Sequence, residues 1–360
     1  MARMKYREAL RAALMEEMDR DAAVFCIGEG IGERGGSYKV TEGLLATFGP
    51  GRVIDTPLSE AGFVGVGVGA AVAGQRPVVE VLFIDFLMLA MDQIVNQAAK
   101  YRFMSGGEGR VPLVVRTQGG AGNSLAAQHS QSLEALFYHV PGLKVVMPST
   151  PRDAKGLLVA AIRDDDPTIF IEHKLLYMTE GDVPDEPYVI PLGEAEVKRE
   201  GTDVTLVTWS HMTLKSLQAA EQLGDEGISV EVVDLRTLVP MDIATVLASV
   251  RKTGHLVIVQ EAVKRGGVGS DVAAQIVELA FESLRAPIVR VAGLNTAIPF
   301  NLALEKATVP QVADIVAGVH SAIRGSVDRR REGATAAQQR PSDRVKGMPR
   351  PPVLPNRFVR

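Results

Sequence analysis

Residues Asp55 to Ala71 read DTPLSEAGFVGVGVGAA, and this stretch decides how the chain is read. The preceding "RVIDT" has the β-branched character of a short strand. The following "GFVGVGVGAAVAG" predicts a helix whose small face, Gly65, Gly67 and Gly69, lets another backbone approach closely. Strand, short polar turn and helix in succession form the repeating unit of a parallel sheet covered by helices. At the turn stands Ser59-Glu60, which admits two readings. A carboxylate there can cap free helix N–H groups, or it can be a functional acid held in an otherwise apolar segment. The glycine spacing is G-x-G-x-G, whereas a dinucleotide-binding turn needs G-x-G-x-x-G.

The same alternation extends in both directions. "AAVFCIGEG", "RPVVEVLFIDF", "RVPLVVRTQGG", "GLKVVMPST" and "PTIFIEH" read as strands, most of them ending in small or polar residues. "LMLAMDQIVNQAAKYRFMS" predicts a helix of about five turns. "PRDAKGLLVAAIRDD" predicts a helix opened by Pro151, and the N-terminal segment predicts an amphipathic surface helix. Residues 178–200 carry three prolines and little helical period, and are expected to be a linker. From "TDVTLVTWS" the pattern resumes, with helices at 212–223, 242–251 and 270–283 and strands at 228–233, 255–260 and 287–292. The expected organisation is α/β, with a first domain over 1–177, the linker, a second parallel-sheet domain over 201–325, and a basic, proline-rich tail over 326–360 expected to be disordered.

Composition narrows the function classes. Charged residues at 23% and hydrophobic residues at 46% fit a soluble globular chain. A net charge of −4 gives no reason to expect nucleic acid or a membrane surface as partner. Cys26 is the single cysteine, which excludes an intrachain disulfide and a cysteine-built metal site and fits a reducing, cytoplasmic setting. The start of the chain is charged throughout and lacks the apolar stretch of a signal peptide.

Further candidate positions lie at strand ends. His129, after the glycine-rich "TQGGAGNS", is either a proton donor and acceptor or an ordinary loop histidine. Ser124, Ser130 and Ser132 lie near it, but no G-x-S-x-G elbow accompanies them. His139 is expected to pack. Phe83 is expected in the core, and Phe86 where a strand end opens toward a ligand crevice. Glu29 follows a strand's carboxyl end. "RDDDP" reads as an acidic surface turn. Glu29, Glu60, Phe86 and His129 thus fall at the end of one sheet where open α/β sheets bind ligands.

Five motifs in order, "GEGIGERGGSYKVTEGL", "FGPGRVIDTPLSEAGFVGVGVGAA", "FIDFLMLAMDQIVNQAAKYRFMSGG", "AAQHSQSLEA" and "PGLKVVMPSTPRDAKGLL", resemble the β subunit of the thiamine-diphosphate-dependent first component of 2-oxo acid dehydrogenase complexes. That family includes the pyruvate, branched-chain 2-oxo acid and acetoin enzymes. The resemblance covers residues 4–324 and implies a transketolase-like fold, a pyrimidine-binding domain followed by a transketolase C-terminal domain. It implies that Glu60 hydrogen-bonds the N1′ nitrogen of the cofactor's aminopyrimidine, that Phe86 packs on that ring, and that Leu58 is a nearby backbone contact. By the same resemblance His129 faces the substrate and the lipoyl group, and Glu29 belongs to a polar network between paired sites. A potassium site is implied at Leu113, Ala161, Ile162, Asp164 and Asp166, mostly through carbonyls.

One expected element is missing. Thiamine-diphosphate enzymes hold Mg2+ and the diphosphate with a G-D-G motif and a later Asn, and the nearest match here is "EGDV" in the expected linker. The resemblance therefore implies an α subunit that carries this half, in an assembly of two α and two β chains. A lipoyl-bearing acyltransferase core and a flavoprotein would be further partners, and a 2-oxo acid or acetoin the substrate. "SLAAQHSQSLEA" leans toward the acetoin branch. The alternative is a catalytically inactive transketolase-like scaffold subunit.

Overall fold

The computed structural model describes residues 1–324. Its strands are β1 (Ala2–Lys5), β2 (Val24–Gly28), β3 (Val53–Asp55), β4 (Arg76–Val81), β5 (Val114–Gly119), β6 (Lys144–Val146) and β7 (Thr168–His173). They continue with β8 (Glu180–Val183), β9 (Glu196–Arg199), β10 (Val204–Thr208), β11 (Val230–Asp234), β12 (Thr237–Val239), β13 (Leu256–Val263) and β14 (Val289–Gly293). The first sheet runs β12-β6-β7-β5-β4-β2-β3, and the second β14-β13-β10-β11-β9. Strands β2 to β7 of the first sheet are parallel, as are β10, β11, β13 and β14 of the second.

The period of two along each strand sorts the core into layers. Ile27, Val79, Val115, Val145 and Ile169 pack on one face with helix Glu60–Val72. Their chain neighbours Cys26, Val78, Val114, Val146 and Phe170 pack on the other, against helices Tyr6–Arg20 and Pro151–Arg163. Both faces are buried, so the strands read as continuous apolar runs. The first of these layers continues into the second unit through Val207, Trp209, Val233 and Ile258, so the two units share one apolar core. Within helix Glu60–Val72, Gly67 is the tight position. A Cβ there would stand 2.6 Å from Val79 Cγ2, whereas one on Gly69 would meet open space.

Several expectations change. Residues 178–200 contain two strands: β8 pairs antiparallel with β1, and β9 forms an antiparallel edge beside β11. Strand β12, supplied by the second unit, pairs with β6 and completes the first sheet. The expected helix over 87–105 is divided into a 3-10 segment Ile84–Ala90, a π segment Asp92–Ala98 and an α turn Ala99–Met104. His139 is exposed, because helix Glu134–Tyr138 ends before it. The basic tail lies outside the described residues. No described helix is long and apolar enough to cross a membrane.

At the centre of the first sheet lies a buried charge cluster. Arg116 Nε and Nη2 donate to Glu172 Oε1 and Oε2 at 2.7 and 2.9 Å, and Nη1 donates to Glu80 Oε2 at 2.7 Å. The Tyr177 hydroxyl donates to Glu172 Oε2 at 2.5 Å. Removing one member of such a group strands the others without compensation. Arg116→Met is expected to destabilise the chain by about 3–5 kcal/mol, read as a lowered midpoint in denaturant unfolding of the whole assembly. A midpoint equal to wild type would show that the cluster contributes nothing.

Candidate active site at the carboxyl edge of the first sheet

Strand β2 ends at Gly28, and Glu29 follows it directly. On the neighbouring strand β3, Asp55 accepts the Gly32 amide at 2.8 Å and so ties down the turn beyond Glu29. The chain then passes Leu58, which is 82% exposed, and enters helix Glu60–Val72. Ser59 makes no side-chain capping bond, so the serine half of the capping reading fails. Glu60 is half-buried in the first turn, where helix N–H groups favour a negative charge. Glu29 Oε1 is buried without a hydrogen-bond partner. Burial raises the Glu29 carboxyl above its ordinary value, and the nearby charge of Glu60 raises it further. These two acids form one half of the site.

The other half lies at the ends of β4 and β5. Phe83 adopts φ +73, a left-handed conformation rare for a bulky residue, and turns the chain into the 3-10 segment. Both Phe83 and Phe86 meet the His129 ring edge-on, at centroid distances of 5.1 and 5.2 Å. Phe83 is therefore a wall of the site and not a core residue. Phe86 is half-buried, next to that histidine. Because β5, β4 and β2 are neighbours in the sheet, the two halves share one edge.

The loop from Gly119 to His129 is irregular. Gly120, Gly122, Ser124 and Ala126 all have positive φ, and a Cβ on Gly120 would stand 2.0 Å from His173 Nε2. Two acids of the second unit hold this loop. Glu261 Oε1 accepts the Ala121 amide at 2.7 Å, and Glu305 accepts those of Gly122 and Ser124 at 2.8 and 3.0 Å. Lys174, just past β7, donates to the His129 carbonyl. Sequence reading missed Glu261, Glu305 and Lys174. Their partners are main-chain groups of a distant loop, which leave no spacing signal in the sequence.

His173, His211 and Glu261 also cluster, with His173 Nε2 2.9 Å from Glu261 Oε2. A metal reading fails on the tautomer. His173 Nδ1 accepts the Leu175 amide at 3.2 Å, so Nε2 carries the proton and has no lone pair for a metal.

The positions considered for potassium gather at the opposite, amino edge of the sheet. The Ile162 and Asp164 carbonyls both accept from Arg76 Nη1 at 3.0 Å, and the Leu113 carbonyl accepts the Thr168 amide at 2.8 Å. Asp164 pairs with Lys144 at 2.5 Å and Asp166 with Arg102 at 2.6 Å, while Ala161 is buried in its helix. Arginine and lysine supply positive charge beside these groups. The edge with Glu60 does fit an aminopyrimidine. It offers a helix-borne carboxylate, an orphaned buried acid oxygen and an aromatic wall. It offers no match for Mg2+ and diphosphate, and the "EGDV" segment is strand β8, paired with β1.

Comparison with known proteins agrees with this architecture. Residues 2–180 match the family described as transketolase, pyrimidine binding domain, and residues 193–315 match transketolase, C-terminal domain. The chain is 49% identical over 336 residues to the acetoin:2,6-dichlorophenolindophenol oxidoreductase subunit beta of Cupriavidus necator, covering 90% of this chain and 99% of that one. It is 50% identical over 317 residues to the mitochondrial pyruvate dehydrogenase E1 component subunit beta-1 of Oryza sativa subsp. japonica, covering 87% of this chain and 85% of that one. Among solved structures, a split gene transketolase titled an inactive beta4 tetramer superposes with a TM-score of 0.74 at 25% identity, covering 90% of this chain and 99% of that one. Two transketolase domains in this order, with relatives matched over most of their length, place the chain in one family: the β subunits of the thiamine-diphosphate-dependent first component of 2-oxo acid dehydrogenase complexes.

Proposed function

We propose that this chain supplies the pyrimidine half of a shared active site, which releases a two-carbon acyl group from pyruvate or acetoin and passes it to a lipoyl group. The observation that carries the proposal is the division of the edge. Glu60, Glu29, Phe86 and His129 all follow strand ends at the carboxyl edge of one sheet, while the sequence contains no G-D-G motif to hold Mg2+ and diphosphate. An α subunit carrying that holder completes the site, in an assembly of two α and two β chains. The solved relative made of β chains alone is titled inactive, which supports this need for a partner. A lipoyl-bearing acyltransferase is the acceptor. Both acyl donors are drawn from the names of the relatives.

Bound thiamine diphosphate supplies the electron sink that C–C bond cleavage requires. Glu60 offers a carboxylate oxygen to the pyrimidine ring and holds a proton there. Phe86 covers the ring face and excludes water. Glu29, whose proton affinity is raised by burial and by the charge of Glu60, lies close enough to share that acid's field. His129, fixed between two aromatic edges, moves a proton to or from the group that receives the acyl unit.

Removing the carboxylate with Glu60→Gln is expected to lower turnover of the αβ assembly about 10²–10⁴-fold with any acceptor. Retained turnover would reject its role. His129→Gln is expected to lower lipoamide-dependent turnover about a hundredfold, while turnover with an artificial redox dye persists. Equal losses in both assays would assign the histidine to an earlier step. The isolated chain is expected not to bind thiamine diphosphate with Mg2+. Binding as tight as that of the assembly would refute the divided site. Comparing kcat/KM for pyruvate, acetoin and branched-chain 2-oxo acids tests the acyl donor.

A further inference from the structure

Lys174 is a cation in an unusual position. It is 4% exposed, and among the described residues its ammonium has one hydrogen bond, to the His129 carbonyl, with no carboxylate at ion-pairing distance. A buried charge is normally paired, because losing water costs several kcal/mol. Here the charge is directed at one main-chain oxygen. Its Nζ also lies 5.1 Å from the centre of the Phe83 ring, a cation–π arrangement. That ring in turn touches the His129 ring.

The loop carrying His129 needs such a hold. It belongs to no helix or strand, and four of its residues between Gly120 and Ala126 are left-handed. The one main-chain bond made by the His129 amide, to the Ala126 carbonyl, is long at 3.5 Å. Glu261 and Glu305 fix the start of the loop at Ala121, Gly122 and Ser124, and Asp85 holds Gln131 beyond it at 2.7 Å, so Lys174 acts on the histidine's own carbonyl between these two anchors. Because β5 and β7 are parallel neighbours, with Gly119 opposite His173, the loop and Lys174 leave the same sheet edge side by side.

We propose that Lys174 is a positioning residue for His129, clamping its main chain through the carbonyl and its ring through Phe83, so that the imidazole meets the incoming acyl acceptor. This rests on the role proposed above for His129. The clamp is strongest with the protonated amine, because a charged donor makes the stronger bond and the contact with the ring needs a cation. Burial lowers the Lys174 ammonium from its ordinary 10.5 to about 8, against the opposing pull of Asp85, Glu261 and Glu305, the charged groups facing it from the 3-10 segment, β13 and helix Leu302–Thr308. A lysine is charged below its pKa, so the clamp is at full strength below about pH 8 and weakens above it.

The test uses the assembly reconstituted with the α subunit. Lys174→Met is expected to lower lipoamide-dependent turnover about a hundredfold, the cost of a misplaced group, and dye-coupled turnover much less. Lys174→Arg, which stays charged, recovers at least about tenfold of that loss, and it moves the alkaline limb of the lipoamide-dependent pH profile upward. The double variant Lys174→Met/His129→Gln is no slower than His129→Gln alone, since no imidazole remains to be positioned. Losses that multiply in the double variant, equal losses in both assays, or an arginine variant no better than methionine would overturn the proposal. Should the methionine variant fail to assemble, Lys174→Gln, a neutral donor, must fall below arginine in the same assay, and parity between them overturns it as well. If His129→Gln leaves lipoamide turnover unchanged, the role of His129 fails and this inference with it. A slow His129→Gln beside a fast Lys174→Met rejects Lys174 alone.

Discussion

The second unit reaches into the first with two carboxylates, Glu261 and Glu305, and closes them on the amides of Ala121, Gly122 and Ser124. The conformation of the His129 loop depends on this contact. A backbone with repeated left-handed residues cannot satisfy its N–H groups by a regular ladder, and buried N–H groups must find acceptors. Charged acceptors make the stronger bonds. The C-terminal domain is therefore part of the active-site scaffold even though none of the candidate cofactor contacts lies on it.

The sheet arranges the rest by register. Parallel strands bring all their carboxyl ends to one edge, so residues far apart in the chain, at the ends of β2, β4, β5 and β7, become neighbours. The same strands carry the Arg116–Glu80–Glu172 cluster in their interior, on the face shared by Val78, Val114 and Phe170. Charge is thus used twice. Inside the sheet it is paired and structural. At the edge Lys174 lies over an aromatic ring and against a carbonyl, and Glu29 is left with an orphaned oxygen.

Much of this was legible in advance. Alternating apolar strands and helical segments identify a doubly covered parallel sheet, and the family resemblance marks Glu60, Phe86 and His129. Three readings change, each for its own reason. Phe83 looks like core because it is apolar, but a positive φ turns its ring toward His129. Residues 178–200 connect the two matched domains, and they also hold two short strands that their prolines mask, whose partners lie elsewhere in the chain. The helix expected over 87–105 has sound periodicity, yet packing converts most of it to 3-10 and π turns.

Local sequence by itself determined the succession of strands and helices, the parallel α/β class and the acid that opens helix Glu60–Val72, because periodicity, propensity and turn chemistry act over a few residues. Only the tertiary structure decided that β12 crosses to the first sheet, that Arg76 stands at the carbonyls considered for potassium, and that Lys174, Glu261 and Glu305 hold the histidine loop. Those contacts join groups tens of residues or more apart, most of them main-chain atoms that every residue possesses, so their pairing exists only once the chain has folded.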